Sequence, residues 1–273
     1  MIRIITSLVL AALVIAALFF DPFWWLVFVT FFSVGAGIEF SNVLYKGKLV
    51  ALRMLVVGAC FAFPVNAYLG LNDFPALPDT LLVAFLFVFA PILFIFNKGT
   101  IEDFHTSVPM AVFGSLWIGY LLSFLIHVRY LRLDGYLYGI RAILFFVIVV
   151  TCSDIFAYYL GQAFGKRKMS PLYSPNKTWE GAIGGFLGGL AGAYLCLFSF
   201  AGLITPLHAG LVAVIIVFFG MLGDLTESVF KRSCKVKDAG GFLPGHGGIL
   251  DRMDSVLLAA PAFYWYIYFV LAK

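Results

Sequence analysis

The chain is 273 residues long, 63% hydrophobic and only 12% charged, with a formal net charge of +4. A soluble domain carries roughly a quarter charged residues. The composition therefore excludes a soluble module and indicates a polytopic, all-α membrane protein. The positive balance has two readings: affinity for anionic headgroups or phosphorylated ligands, or the excess of Lys and Arg that collects at a cytoplasmic membrane face.

Crossing a bilayer takes about 20 apolar residues, and the apolar runs predict about nine helices. They cover 4–20, 23–44, 49–71, 80–96, 107–127, 140–163, 180–200, 207–229 and 252–271. The first is short enough for a signal peptide. However, Asp21-Pro22 leads straight into Phe23-Trp24-Trp25 with no small-residue cleavage site, so a retained helix is expected. Pro22, Pro75, Pro78, Pro171, Pro175, Pro206 and Pro244 fall in or beside connections, whereas Pro64, Pro91, Pro109 and Pro261 fall in or near helices as candidate kinks. Cys60, Cys152, Cys196 and Cys234 form no CxxC pair, so neither a zinc site nor a disulfide framework is expected.

Cations mark alternate connections: Arg3, Lys46 and Lys48, Lys98, then Lys166, Arg167, Lys168 and Lys177, and finally Lys231, Arg232, Lys235 and Lys237. The connections 21–22, 72–79 and 201–206 carry none, and only 128–139, with Arg129 and Arg132, dissents. This pattern puts the N-terminus and both large polar loops on the cytoplasmic side. The helix from 180 carries glycines four apart in two rows, Gly181-Gly185-Gly189 and Gly184-Gly188-Gly192, a spacing that lets helices approach closely in lipid. Glu39 and Arg53 are read as pairing with each other or reaching for the interface. His105, His127 and His208 show no metal-ligand spacing.

Residues 224–254 hold 10 of the 32 charged residues, between the uncharged runs Ala182–Gly223 and Ser255–Ala272. Ionisable groups beside lipid are costly and mark functional sites. Asp224, Glu227, Ser228 and Lys231 follow i, i+3, i+4, i+7 spacing and share one helix face, which suits either a polar seam between helices or a ligand site. Asp251 and Asp254 lie three apart at the start of the last helix, with Arg252 between them and His246-Gly247-Gly248 just upstream. Acids suit a helix start on electrostatic grounds alone, while glycines and free N–H groups there also suit a phosphate. Lys231, Arg232, Lys235 and Lys237 serve either as a membrane anchor or as anion ligands. Asp154, inside an apolar helix, needs a partner. The basic segment after it bears Ser174, Lys177 and Thr178, and either hydroxyl could simply cap the next helix.

Two stretches carry a family resemblance. Ser228-Val-Phe-Lys231-Arg232, Lys237-Asp238, and Leu243-Pro244-Gly-His246-Gly247-Gly248-Ile-Leu-Asp251-Arg252-Met-Asp254 resemble the signature of phosphatidate cytidylyltransferases (CDP-diacylglycerol synthases). Ser153-Asp154-Ile-Phe-Ala157-Tyr158, Gly161, Phe164-Gly165-Lys166 and Ser174-Pro175-Asn176-Lys177-Thr178-Trp179-Glu180-Gly181 agree with it. The departures are Ser153 where Thr is common and Asn176 where Lys is common. The signature divides the chain into an N-terminal helical region, 1–139, without a motif, and a catalytic region, 140–273.

The resemblance implies transfer of CMP from CTP to phosphatidic acid, giving CDP-diacylglycerol and pyrophosphate, by a homodimer in a bacterial inner membrane. It implies Mg²⁺ held by Asp224, Asp251 and Asp254, and a second, monovalent ion such as K⁺. Asp224, Asp251, Lys237 and His246 are then the expected catalytic residues. Lys177, Ser174, Thr178, Ser228, Lys231, Arg232, Lys235, Gly247, Gly248, Arg252 and Asp154 are the expected substrate contacts. Membrane lipids are expected neighbours and nucleic acid is not. A CTP-dependent polyprenol or lipid kinase is the alternative. A transporter of a phosphorylated solute fits less well, since no related halves are visible.

Overall fold

The computed structural model describes residues 12–45, 49–97, 100–133, 136–197, 204–242 and 247–271. Eight helices in it are long and apolar enough to cross a membrane. They are α1 (Pro22–Tyr45), α2 (Val50–Leu71), α3 (Asp79–Phe96), α4 (Ile101–Arg129), α5 (Gly139–Phe164), α6 (Trp179–Leu197), α7 (Pro206–Ser233) and α8 (Leu250–Leu271). Residues 12–19 are also helical, and the rest of the expected first helix lies outside the described residues. Two short antiparallel hairpins complete the fold: β1 (Arg132–Leu133) with β2 (Tyr136–Leu137), and β3 (Lys168–Ser170) with β4 (Ser174–Thr178).

Helix α4 starts six residues before the apolar run that announces it. Glu102 and Asp103 occupy its first turn, where acids oppose the positive end of the helix dipole. Thr100 Oγ1 also donates to Asp103 Oδ2 at 2.6 Å. Its middle widens into π-helical turns over Ser115–Tyr120. Helix α7 outruns its apolar segment at the other end, where Lys231 and Arg232 sit in the last turn and favour the negative pole. Pro64, Pro91, Pro109 and Pro261 all lie within helices.

The chain forms two compact units, Met1–His127 with Cys234–Met253, and Val128–Ser233 with Asp254–Lys273. In the first, Phe40, Phe63, Leu52, Ile118, Leu122 and Ile126 are fully buried. Two aromatic side chains of its apolar helices find carbonyl partners, as a medium without water favours. Trp25 Nε1 donates to the Leu125 carbonyl at 3.0 Å and the Tyr45 hydroxyl to the Ser107 carbonyl at 2.9 Å. Asn66 accepts from the Leu77 N–H at 2.8 Å and donates to the Leu77 carbonyl at 2.9 Å, pinning the α2–α3 connection.

The second unit is built on the glycine rows of α6. A methyl group at Gly184 would come within 2.8 Å of Leu160 Cβ, and one at Gly188 within 2.5 Å of the Cys152 carbonyl oxygen, so this row lies on α5. Gly189 would meet Val217 Cγ2 at 2.4 Å and Gly185 would meet Met221 Cε at 2.6 Å, so these two face α7, while Gly181 lies against Ala157 and Gly161 of α5. Close contact replaces the hydrophobic effect as the force between helices in lipid. Gly188→Val is accordingly expected to cost about 1–3 kcal/mol or more, the usual penalty of overpacking. It should lower the melting temperature in detergent. Gly58→Ala, at a helix position with nothing within 4 Å of the new methyl, should not.

Candidate active site

The basic segment after α5 is an ordered hairpin. Lys168 pairs with Thr178, and Ser170 with Ser174. Glu180, in the first turn of α6, locks it by accepting the N–H groups of Lys166 (3.1 Å) and Arg167 (3.2 Å), and the Trp179 N–H donates to the Arg167 carbonyl at 3.0 Å. Thr178 Oγ1 accepts the Gly181 N–H at 3.1 Å, the hydrogen bond expected of a helix cap. From α7, Arg232 Nε donates to the Tyr173 carbonyl at 3.3 Å. These contacts tie the hairpin to α6 and α7 and fix the strand that carries Ser174 and Lys177.

Lys177 reaches from that strand to Asp224 on α7, with Nζ and Oδ2 2.5 Å apart. One turn on, Lys231 Nζ lies 2.6 Å from Glu227 Oε2, in the i, i+4 relation that the helix repeat provides. Glu227 is fully buried. Asp254 enters from α8, and its carbonyl oxygen lies so close to Gly223 that a methyl group there would approach it to 2.2 Å. The glycine beside Asp224 is thus what lets the two helices meet. The Asp254 carboxylate is oriented by the N–H of Ser255, 2.7 Å from Oδ1, and Asp154 on α5 lies within electrostatic reach of it.

Asp224, Glu227 and Asp254 each offer a carboxylate oxygen, all within 4.8 Å of one another. Three carboxylates crowd together there against two ammonium groups. An all-oxygen donor set of this size suits a hard divalent cation, and adding one would turn the site positive and ready for a polyphosphate. Ser228, half-buried, adjoins this cluster in α7.

The signature loop belongs to the first unit. Lys235 ends the turn after α7 in the left-handed region, with φ 59°, and Lys237 and Arg252 are exposed. Asp251 accepts from the N–H groups of Gly248 (2.8 Å) and Ala239 (3.2 Å), closing the loop between them. Gly247 has φ +79°, and a methyl group there would lie 3.0 Å from Asp251 Oδ2, so both conformation and space call for glycine. His246 lies outside the described residues.

Two acids gain importance that their sequence context understated. Glu227 completes the cluster with Asp224 and Asp254. Glu39 does not pair with Arg53, whose guanidinium donates instead to Asn42 Oδ1. Its own Oε2 accepts the Leu250 N–H at 2.9 Å, in the signature loop. The signal was available, since Glu39 is the one charged residue of α1 and an ionisable group in a spanning helix marks function.

Fold and site together define an integral membrane protein with a carboxylate cluster, fit for a cation, set among lysines fit for phosphate. The chain belongs to the Cytidylyltransferase family, whose profile matches residues 1–270. It is 42% identical over 159 residues to a phosphatidate cytidylyltransferase of Haemophilus influenzae, covering 55% of each chain. It is 39% identical over 165 residues to one of Bacillus subtilis, 60% of this chain and 58% of that one. To one of Pseudomonas aeruginosa it is 47% identical over 118 residues, 43% and 44% of the two chains. The chain spans about half the length of the curated relatives it matches.

Proposed function

We propose that the protein is a phosphatidate cytidylyltransferase that transfers CMP from CTP to phosphatidic acid. The observation that carries this reading is the meeting of Asp224, Glu227 and Asp254 with Lys177 and Lys231, in a chain whose relatives bear that name. A phosphate oxygen of the lipid attacks the α-phosphorus of CTP. The bond from that phosphorus to the β-phosphate oxygen breaks, and pyrophosphate leaves with the electron pair. No general base is needed, because a phosphate monoester is mostly dianionic above its second pKa of about 6.

Both reactants are anions, so the protein's task is to cancel charge and align them. Lys177 and Lys231 shift from their carboxylates to phosphate oxygens as substrate arrives. Arg232, Lys235 and Lys237 add positive charge for the triphosphate and the departing pyrophosphate. Asp224, Glu227 and Asp254 would hold Mg²⁺, which when bound supplies charge neutralisation at the phosphates. Asp251, a ligand by the family resemblance, shapes the signature loop by accepting the N–H groups of Gly248 and Ala239. A monovalent second ion, a homodimer, and a cytoplasmic N-terminus in a bacterial inner membrane complete the proposal. They follow from the family resemblance and from the cations of alternate loops.

The test uses purified protein in detergent with phosphatidate and CTP labelled at the α- or the γ-phosphorus. Label from the α-position should enter lipid in the presence of Mg²⁺ and stop entering when EDTA is added. Entry of γ-label instead would replace this reading with a lipid kinase.

A further inference from the structure

Glu39 lies in the last third of the membrane-spanning helix α1 and is only 7% exposed. It sits in a stripe of residues four apart, all turned to the signature loop. Phe31 meets the Phe242 ring edge-on at 6.2 Å between centroids. Gly35 leaves room for Ile249, whose Cδ1 would lie 2.4 Å from a methyl group at that position. Glu39 follows, with its Oε2 on the Leu250 N–H at 2.9 Å. The carboxylate fills the space between two glycines of the loop. A methyl group at Gly240 would meet Oε1 at 2.3 Å, and one at Gly248 would meet Oε2 at 2.4 Å.

The two ends of the loop are thus gathered around one acid from a distant part of the chain, while Asp251 ties Ala239 to Gly248 on the loop's own side. A buried carboxylate is costly unless backbone donors surround it. That cost makes the arrangement specific: without the Leu250 N–H, Glu39 Oε2 loses its partner among apolar helices.

We infer that Glu39 is a positioning residue of the signature loop, the post against which its described ends, Ala239–Phe242 and Gly247–Leu250, are held and by which Asp251 is aimed. The inference rests on the proposed cytidylyl transfer for its activity readout, but not for its structural one. It also ties α1, in the stretch of chain without a motif, to the signature loop.

The experiment compares wild type, Glu39→Ala, Glu39→Gln and Gly248→Ala, each purified in detergent. CMP transfer, melting temperature and hydrogen exchange of the amides of 239–250 are measured. Misplacing reacting groups by about 1 Å can cost about 100-fold in rate. Glu39→Ala and Gly248→Ala are expected to lose about that much, with faster exchange confined to the loop. Glu39→Gln keeps an oxygen for the Leu250 N–H, and should stay within about tenfold of wild type, in line with the range for outer-layer substitutions. Wild-type rates and loop protection in both Glu39→Ala and Gly248→Ala would overturn the inference. So would loss of protection throughout the helices in every variant, Glu39→Gln included, which would make Glu39 an ordinary core residue. If wild type itself transfers no CMP, the proposed function fails, and the exchange pattern still decides whether Glu39 holds the loop.

Discussion

Asp254→Asn is expected to reduce the proposed CMP transfer by about 1,000-fold or more, equivalent to about 4 kcal/mol at the transition state. Asp254 supplies one of three carboxylates whose oxygens lie within 4.8 Å of one another. Replacing it removes an acid from the cluster, with Lys177 and Lys231 still in place. A divalent cation then faces two carboxylates already claimed by ammonium groups. Binding of Mn²⁺, followed by its paramagnetic resonance signal, should weaken along with activity, while the melting temperature in the absence of metal holds or rises. The last expectation separates a ligand from a structural acid, because relieving repulsion among crowded carboxylates stabilises a fold. Full turnover by Asp254→Asn, or unchanged Mn²⁺ affinity, would remove the cluster from the mechanism.

The spans were legible because lipid leaves the chain few options: about 20 apolar residues in a row must become a helix. Seven of the eight helices start within two residues of where hydropathy puts them, and α4 differs because Glu102 and Asp103 add a polar first turn. The packing role of the α6 glycines was legible for a similar reason, since rows of small residues have one main use in a membrane. The β3–β4 hairpin was not. Its strand Ser174–Thr178 reads SPNKT, without apolar alternation, and the fold is set by Glu180 capturing the N–H groups of Lys166 and Arg167.

Within the candidate site, spacing showed that Asp224, Glu227 and Lys231 share a face; Glu227 pairs with Lys231 along it, while Asp224 pairs across to Lys177 on β4. Spacing is a weaker guide at Asp251 and Asp254. Residues three apart on a helix differ by about 60° around its axis. That is enough for Asp251 to serve the loop N–H groups while Asp254 joins the carboxylate cluster. Glu39 escaped because its partners are backbone N–H groups more than two hundred positions along the chain, and no side chain near it in sequence announces them.

The contact between Gly223 and Asp254 offers the sharpest test of how the cluster is built. At Gly223 even a methyl group would lie 2.2 Å from the Asp254 carbonyl oxygen, with no flexible side chain to yield. Gly223→Val must therefore force α7 and α8 apart at the level of the acids. A shift of about 1 Å there should cost about 100-fold in CMP transfer. It should also weaken Mn²⁺ binding, although no ligand has been changed. Gly220 lies one turn earlier in α7, where a methyl group would sit 3.6 Å from the Ser255 carbonyl oxygen, an ordinary contact. Gly220→Ala is expected to leave activity and cation affinity close to wild type, and by improving helix propensity it should raise stability by up to about 1 kcal/mol. Equal losses in both variants would mean that α7 tolerates no added bulk anywhere along this face. Equal retention would mean that Asp254 reaches its partners without the close helix crossing. Loss at Gly223 alone ties the cation site to the approach of two helix backbones, which only a residue without a side chain permits.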